Sequence, residues 1–247
     1  MQFFGERAQK TLILVVILVA IALASLLATV ALAYTPGPVV GGAAVRGIVK
    51  FTGPVPAPAK LDIIKDPEVC GTEPKFDESL QVGAGQGLAN VVVYIEKIDK
   101  GRALTTAKAE LDNRHCRFVP HLQAFATGTE LAVKNSDGVL HNTHIRLPNS
   151  DVFNYALPEK GQVIKKKMTR AGLMKVGCDA GHVWMGAWIA VFDHPYFAIS
   201  DKDGKFSLAD VPPGQYNLMF WHEKLGKGSQ QLTVQPGAAQ DLTQVYK

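Results

Sequence analysis

Cysteine is scarce in this chain of 247 residues, with three in all, Cys70, Cys116 and Cys178. That number excludes a disulfide scaffold and a multi-cysteine zinc module, and the lack of a Cys-x-x-Cys-His run excludes c-type haem attachment. Charge is also thin: 19% of residues are charged and the formal net charge is +4. The basic residues are scattered rather than clustered, so nucleic acid is not an expected partner. No P-loop, His-Glu-x-x-His or Gly-x-Ser-x-Gly sequence occurs, and Gly83-Ala84-Gly85-Gln86-Gly87 lacks the spacing of a dinucleotide fingerprint, which leaves no signal for a hydrolase or a nucleotide enzyme. A hydrophobic content of 47%, with 23 Gly and 14 Pro, describes a loop-rich folded body rather than a disordered chain.

One long hydrophobic run is present. Residues 11–33 carry no charge, and as a helix they would be about 34 Å long, enough for a hydrocarbon core of roughly 30 Å. Arg7 and Lys10 outweigh Glu6 on the N-terminal side, so residues 1–10 are expected in the cytoplasm and the rest outside it. The sequence predicts a single-pass protein of the inner (cytoplasmic) membrane, with its C-terminal part in the periplasm or outside the cell. Ala31-Leu32-Ala33 also fits a cleavage site, so a removed signal peptide is the alternative to a retained anchor. Residues 34–43, with two Pro and three Gly, read as a flexible linker.

Beyond that linker there is no long amphipathic helical pattern. Val45, Gly47, Val49 and Phe51 alternate with polar neighbours, and Asn90 to Ile95 is a second strand signal. Asp201-Lys202-Asp203-Gly204 and Pro212-Pro213-Gly214 punctuate later strands. The expected class is all-β. The pattern G-x-V-x-F-x-G at Gly47–Gly53, NVVVYI, D-x-D-G-x-F-x-L and PPG-x-Y resembles the two halves of a carboxypeptidase-regulatory-like (transthyretin-like) β-sandwich. That resemblance implies a first part at residues 44–107 and a second at 196–247, interrupted by a domain-sized insertion at 108–195.

The chemistry lies in the insertion. Asn135 to Asn142 reads N-x5-H-N, and Cys178 to Met185 reads C-x3-H-x2-M. A thiolate, two imidazoles and a thioether are the donors of a mononuclear copper site that passes between Cu(I) and Cu(II). These motifs resemble the cupredoxin family, plastocyanin-like members especially, which implies a Greek-key β-sandwich. Carried over, the resemblance implies His141, Cys178 and His182 as the main ligands of one copper ion, Met185 as the axial one, and Asn142 as a brace between the two ligand loops. The loop departs from the plastocyanin-like C-x2-H-x4-M. Its spacing also matches half of a dinuclear copper-A loop, but Met174 stands where that centre needs a second Cys.

His144 competes with His141 for the upstream position. Strand parity places His141 with Thr143, Ile145 and Leu147, and His144 with Asn142 and Arg146, so His141 is the inward choice. The same parity puts Met174, Val176 and Cys178 on one core-facing side. His144 and His121 are set down as satisfied or surface residues, with a fourth-ligand role left open. Trp184 and Trp188 flank the site and read as core. With Cys178 assigned to the metal, Cys70 and Cys116 remain, and an oxidising compartment predicts a bridge between them. Lys165-Lys166-Lys167 could steer an acidic partner. His194 and His222 are expected to hydrogen-bond near the junction of the two sandwiches.

The expected function is a membrane-anchored, non-enzymatic carrier of single electrons, serving a redox partner protein or a membrane respiratory complex. Seven His in the chain leave little for the extra sites of a multicopper enzyme. A copper storage or delivery protein is the main alternative, and a structural β-sandwich subunit of a membrane complex is the other.

Overall fold

A computed structural model describes residues 34–247. The expected membrane helix at 11–33 lies outside the described residues. Within them no helix is long and apolar enough to cross a membrane. The regular structure of the described residues is almost wholly β-strand, as the alternation and the turn residues predict. In order they are β1 (Thr35–Pro36), β2 (Ala43–Phe51), β3 (Val92–Ile95), β4 (Lys100–Gly101), β5 (Lys108–Arg114), β6 (Arg117–Val119), β7 (Leu122–Ala126), β8 (Glu130–Asn135) and β9 (His141–Leu147). They continue with β10 (Ser150–Leu157), β11 (Val163–Lys167), β12 (Gly172–Gly177), β13 (Gly186–Phe192), β14 (Phe197–Ile199), β15 (Lys205–Val211), β16 (Gly214–His222), β17 (Gly226–Val234) and β18 (Gln240–Tyr246). One α-helical turn, α1 (Pro67–Cys70), and a 3-10 turn at Ala84–Gln86 interrupt the long connection between β2 and β3.

Strand pairing sorts the chain into an outer and an inner set. The outer strands make sheets in the order β14-β3-β16-β17 and β15-β2-β18. Their apolar faces meet in one core containing Val45, Val49, Val93, Ile95, Leu218 and Phe220. Gly47 stands where β2 passes beneath its neighbours: an added Cβ would lie 2.5 Å from the Leu242 carbonyl and 2.7 Å from the Phe206 ring. The Asp201 carboxylate accepts the N–H groups of Asp203 and Lys205, and Gly204 supplies the positive φ of 78° that closes the turn before β15. The segment read as a linker is tied down where it begins, because Thr35 and Pro36 pair in parallel with Lys100 and Gly101.

The inner strands make a five-stranded sheet, β10-β9-β12-β13-β7, and a four-stranded one, β11-β8-β5-β6. No inner strand pairs with an outer one among the described residues. The core between these two sheets includes Leu111, Val133, Ile145, Met174, Val176 and Ile189, all fully buried. Each such side chain contributes about 1.5–3 kcal/mol through removal of apolar surface from water. The inner core also takes in Cys70, with Ile63 and Val69 packed against it. These three residues belong to the β2–β3 connection, which therefore runs as a strap from the outer strands onto the inner ones. A third cluster, Val92, Leu122, Ala190, Phe192 and Trp221, joins the two halves.

Candidate metal centre

The two motifs meet at one end of the inner sandwich. Cys178 directly follows β12 and Met185 directly precedes β13, so the Cys-x3-His-x2-Met stretch is the connection between two paired strands. His141 opens β9, the strand that lies against β12 on its other edge. One donor atom each from His141, Cys178 and His182 falls within 4.8 Å of the other two, and all three residues are buried. Met174 and Val176 are fully buried beside Cys178, as parity predicts. Met185 is buried in the same cluster of side chains as Cys178, and its N–H donates to the His182 carbonyl at 2.9 Å.

Both imidazoles are held from behind. His141 Nε2 is 2.9 Å from Asp137 Oδ2. That hydrogen bond turns Nδ1 away from the carboxylate, and Nδ1 is buried with no partner. His182 Nε2 is likewise 2.9 Å from Asp66 Oδ2, while its Nδ1 is 3.6 Å from the Cys178 sulfur. A carboxylate accepting one ring N–H leaves the lone pair on the other nitrogen. The two rings therefore present the same atom, Nδ1, toward the thiol.

Asp137 organises more than the imidazole. Its carboxylate also accepts the N–H groups of His115 and Cys116, each at 2.8 Å. These two residues form the tight turn between β5 and β6 and both have positive φ, 53° and 51°. Such turns favour Asn-Gly, and the two carboxylate bonds together with the cystine offset the strain in His-Cys. Asn135, fully buried, binds the Val139 and Leu157 carbonyls through Nδ2 and accepts the Asp137 N–H. The loop carrying Asp137 and His141 is thus fixed before any metal is considered.

Asn142 bridges the two ligand segments. Its N–H lies 3.3 Å from the Cys178 sulfur and its Oδ1 accepts the Asp179 N–H at 3.2 Å. Burial pushes the Cys178 thiol up, but His141 and the N–H groups of Asn142 and Ala180 outweigh it, and the thiol sits below its ordinary range. For His141, burial works against the charged ring, yet Asp137 and the nearby sulfur prevail and raise it. For His182, burial and the neighbouring His141 dominate over Asp66, and the ring is lowered. Without a metal these shifts favour a thiolate beside a His141 ring that charges more readily and a His182 ring that stays neutral more readily.

Four of the other five histidines have ring partners elsewhere. His144 Nδ1 lies 2.6 Å from Asp179 Oδ2 and Nε2 lies 2.7 Å from Asp151 Oδ1, so both ring nitrogens are used. His121 is bound to Glu223, which also accepts the Trp188 indole N–H at 2.9 Å. His194 and His222 each accept a backbone N–H two residues onward. Trp184 donates to the Cys116 carbonyl at 3.0 Å and meets the His182 ring edge-on at 5.3 Å. Cys70 and Cys116 form the expected disulfide, which removes Cys116 as a metal donor even though Asp137 and His141 lie near it.

Two supports were not singled out from the sequence. Asp137 sits four residues before His141, in the loop that leads into β9, a spacing that could have drawn attention to it. Asp66 is 116 positions from His182, in a stretch with no periodic signal.

No protein-family model matches the chain, and no curated protein does. Part of it is similar to solved structures. A purple cupredoxin from Nitrosopumilus maritimus is 22% identical over 34% of this chain and 99% of its own, with a TM-score of 0.30. The amicyanin of Paracoccus versutus is 13% identical over 40% of this chain and 96% of its own, at 0.31. A copper-containing nitrite reductase from Thermus scotoductus is 16% identical over 40% of this chain and 25% of its own, also at 0.31.

Proposed function

We propose that this protein is a copper-binding electron carrier of cupredoxin type, its metal domain inserted at about residues 108–195 in a second β-sandwich. An N-terminal helix would anchor the protein, with the described part on the outer side of the cytoplasmic membrane. The observation that carries the reading is the meeting of His141, Cys178 and His182 in a buried cluster in which His141 Nδ1 has no partner of its own. An unpaired buried nitrogen costs free energy, and a metal ion would remove that cost. The donors suit copper: the sulfur favours Cu(I), the imidazoles suit Cu(II), and Met185 would be the weak fourth ligand.

When bound, copper would supply a one-electron change between Cu(II) and Cu(I). The protein's own residues do the rest. Asp137 and Asp66 fix which imidazole nitrogen faces the cluster, and Asn142 ties the His141 strand to the Cys178 loop. The strands on either side limit how far the ligands shift when the charge changes, and burial keeps water away from the sulfur. Among the described residues the donor set is suited to one ion rather than to the several copper sites of an oxidase, which favours carriage of electrons over catalysis.

The copper-loaded protein is expected to show an intense visible sulfur-to-copper band and a mononuclear paramagnetic resonance signal, and Cys178→Ser is expected to abolish the band. Wild-type protein that binds copper without that band would sink the ligand assignment. A storage or delivery protein would give up its copper to a chelator within seconds, whereas a carrier with a buried site is expected to hold it for hours.

A further inference from the structure

His182 is the one member of the cluster whose support comes from the outer half of the molecule. Its side chain is fully buried, and the group on its outward nitrogen is the Asp66 carboxylate, on the strap between β2 and β3. Asp66 precedes α1 at the position where an Asp ordinarily caps the helix with its side chain. It makes no such cap, and its backbone lies in the left-handed region at φ 47° and ψ 51°. The carboxylate is turned instead to His182 at 2.9 Å and to Lys65 at 3.4 Å. A residue that forgoes its local bond and takes a strained conformation is held by what surrounds it.

The holding contacts can be named. Four residues beyond Asp66, Cys70 closes α1 and is joined to Cys116. Ile63 and Val69, on either side of Asp66, pack against the inner core. Farther along the strap, Glu78 pairs with Arg117 at 2.6 Å and the Phe76 carbonyl accepts from the same guanidinium. The Lys65 stem lies over Gly181, at the ordinary contact distance of 3.6 Å from a Cβ added there.

We infer that the strap between β2 and β3 completes the metal centre: Asp66 is a positioning residue that keeps the His182 Nδ1 lone pair directed at the metal, and the Cys70–Cys116 disulfide keeps Asp66 in place. Its consequence for the metal rests on the copper reading above, while its geometry does not. Without the carboxylate, His182 is free to carry its proton on either nitrogen, and the form protonated on Nδ1 cannot bind. Loss of a partner of this kind lowers metal affinity by about 10–100-fold.

The test uses the full-length protein with Asp66→Ala, Asp66→Asn and the double variant Cys70→Ser/Cys116→Ser. Nitrogen-15 resonance of His182 in the metal-free protein reads the tautomer, and competition with a chelator reads copper affinity. Wild type is expected to show one tautomer, protonated on Nε2, and Asp66→Ala a mixture with copper affinity reduced about 10–100-fold. Asp66→Asn retains an oxygen acceptor and is expected to keep the single tautomer with a smaller loss. The cysteine pair should reproduce the Asp66→Ala loss, and combining the two should cost little more, because they act on one contact. A single unchanged tautomer and unchanged affinity in Asp66→Ala would overturn the inference, and fully additive losses would overturn the role of the disulfide. A wild-type protein that binds no copper, with His182 still answering to Asp66, would refute the copper reading and support the positioning.

Discussion

The two imidazoles of the cluster are supported alike and built differently. Each has Nε2 at 2.9 Å from an aspartate oxygen. For His141 that aspartate is four residues away and also clamps the β5–β6 turn through two backbone bonds. For His182 it lies on a strap from the other half of the molecule, and among the described residues its carboxylate holds only Lys65 besides. One support belongs to the framework of the inner sandwich, and the other was added to it from outside. The difference teaches that equal distances at a site can conceal unequal structural costs.

Substitution should expose the inequality. The largest effect on stability is expected from Asp137→Ala, which strands three donors, those of His115, Cys116 and His141; a loss of about 3 kcal/mol in metal-free protein, read by urea unfolding, follows from the cost of buried unpaired groups. Asp66→Ala strands one donor, that of the buried His182 ring, beside a carboxylate that is partly exposed, and should cost about 1 kcal/mol by the same measurement. Equal losses would erase the distinction between the two supports.

A buried imidazole without a carboxylate bond sharpens the comparison. His222 accepts only the Lys224 N–H at 3.3 Å, and burial, with Glu223 partly opposing it, pushes it down to about 4. The unfolded chain, with a value of about 6.5, takes up the proton first as pH falls. The contribution of the neutral ring is therefore present above about 6.5 and is lost as pH drops through that value toward 4. Wild type should lose about 2–3 kcal/mol more than His222→Gln between pH 7 and 4. Parallel losses in the two proteins would show that the ring is not the source.

The smallest effect is expected at His144. Its two aspartates are largely exposed, so His144→Ala should change stability by less than about 1 kcal/mol and leave the visible band of the copper-loaded protein in place. Bleaching would mean that this ring, not His141, serves the metal.

The sequence made the local half of this arrangement legible. The Cys-x3-His-x2-Met stretch announces itself by spacing, and period-two parity picks His141 over His144 because strand geometry fixes which face a side chain takes. Leu147, placed on the inward face with His141, is only half-buried, since it stands at the end of β9 where the sheet gives out. The turn at Asp201 and the strand signal before Ile95 could be read for the same reason, although the ladder begins only at Val92. The strap was not legible. Its contacts with Arg117, Cys116 and His182 join residues far apart in the chain, and no periodic pattern in residues 52–82 marks which side chain will face a partner. The disulfide could be paired by elimination, yet elimination did not reveal that Asp66 would come with it.

The cluster of Val92, Leu122, Ala190, Phe192 and Trp221, with Trp188 edge-on to Trp221 at 4.7 Å, fuses the two sandwiches along a second line. Two attachments at separated places oppose swinging of one sandwich on the other. Local peeling of the strap is then the expected route to unveiling His182 and, if the cluster holds an ion, its frequency would set how often that ion could leave.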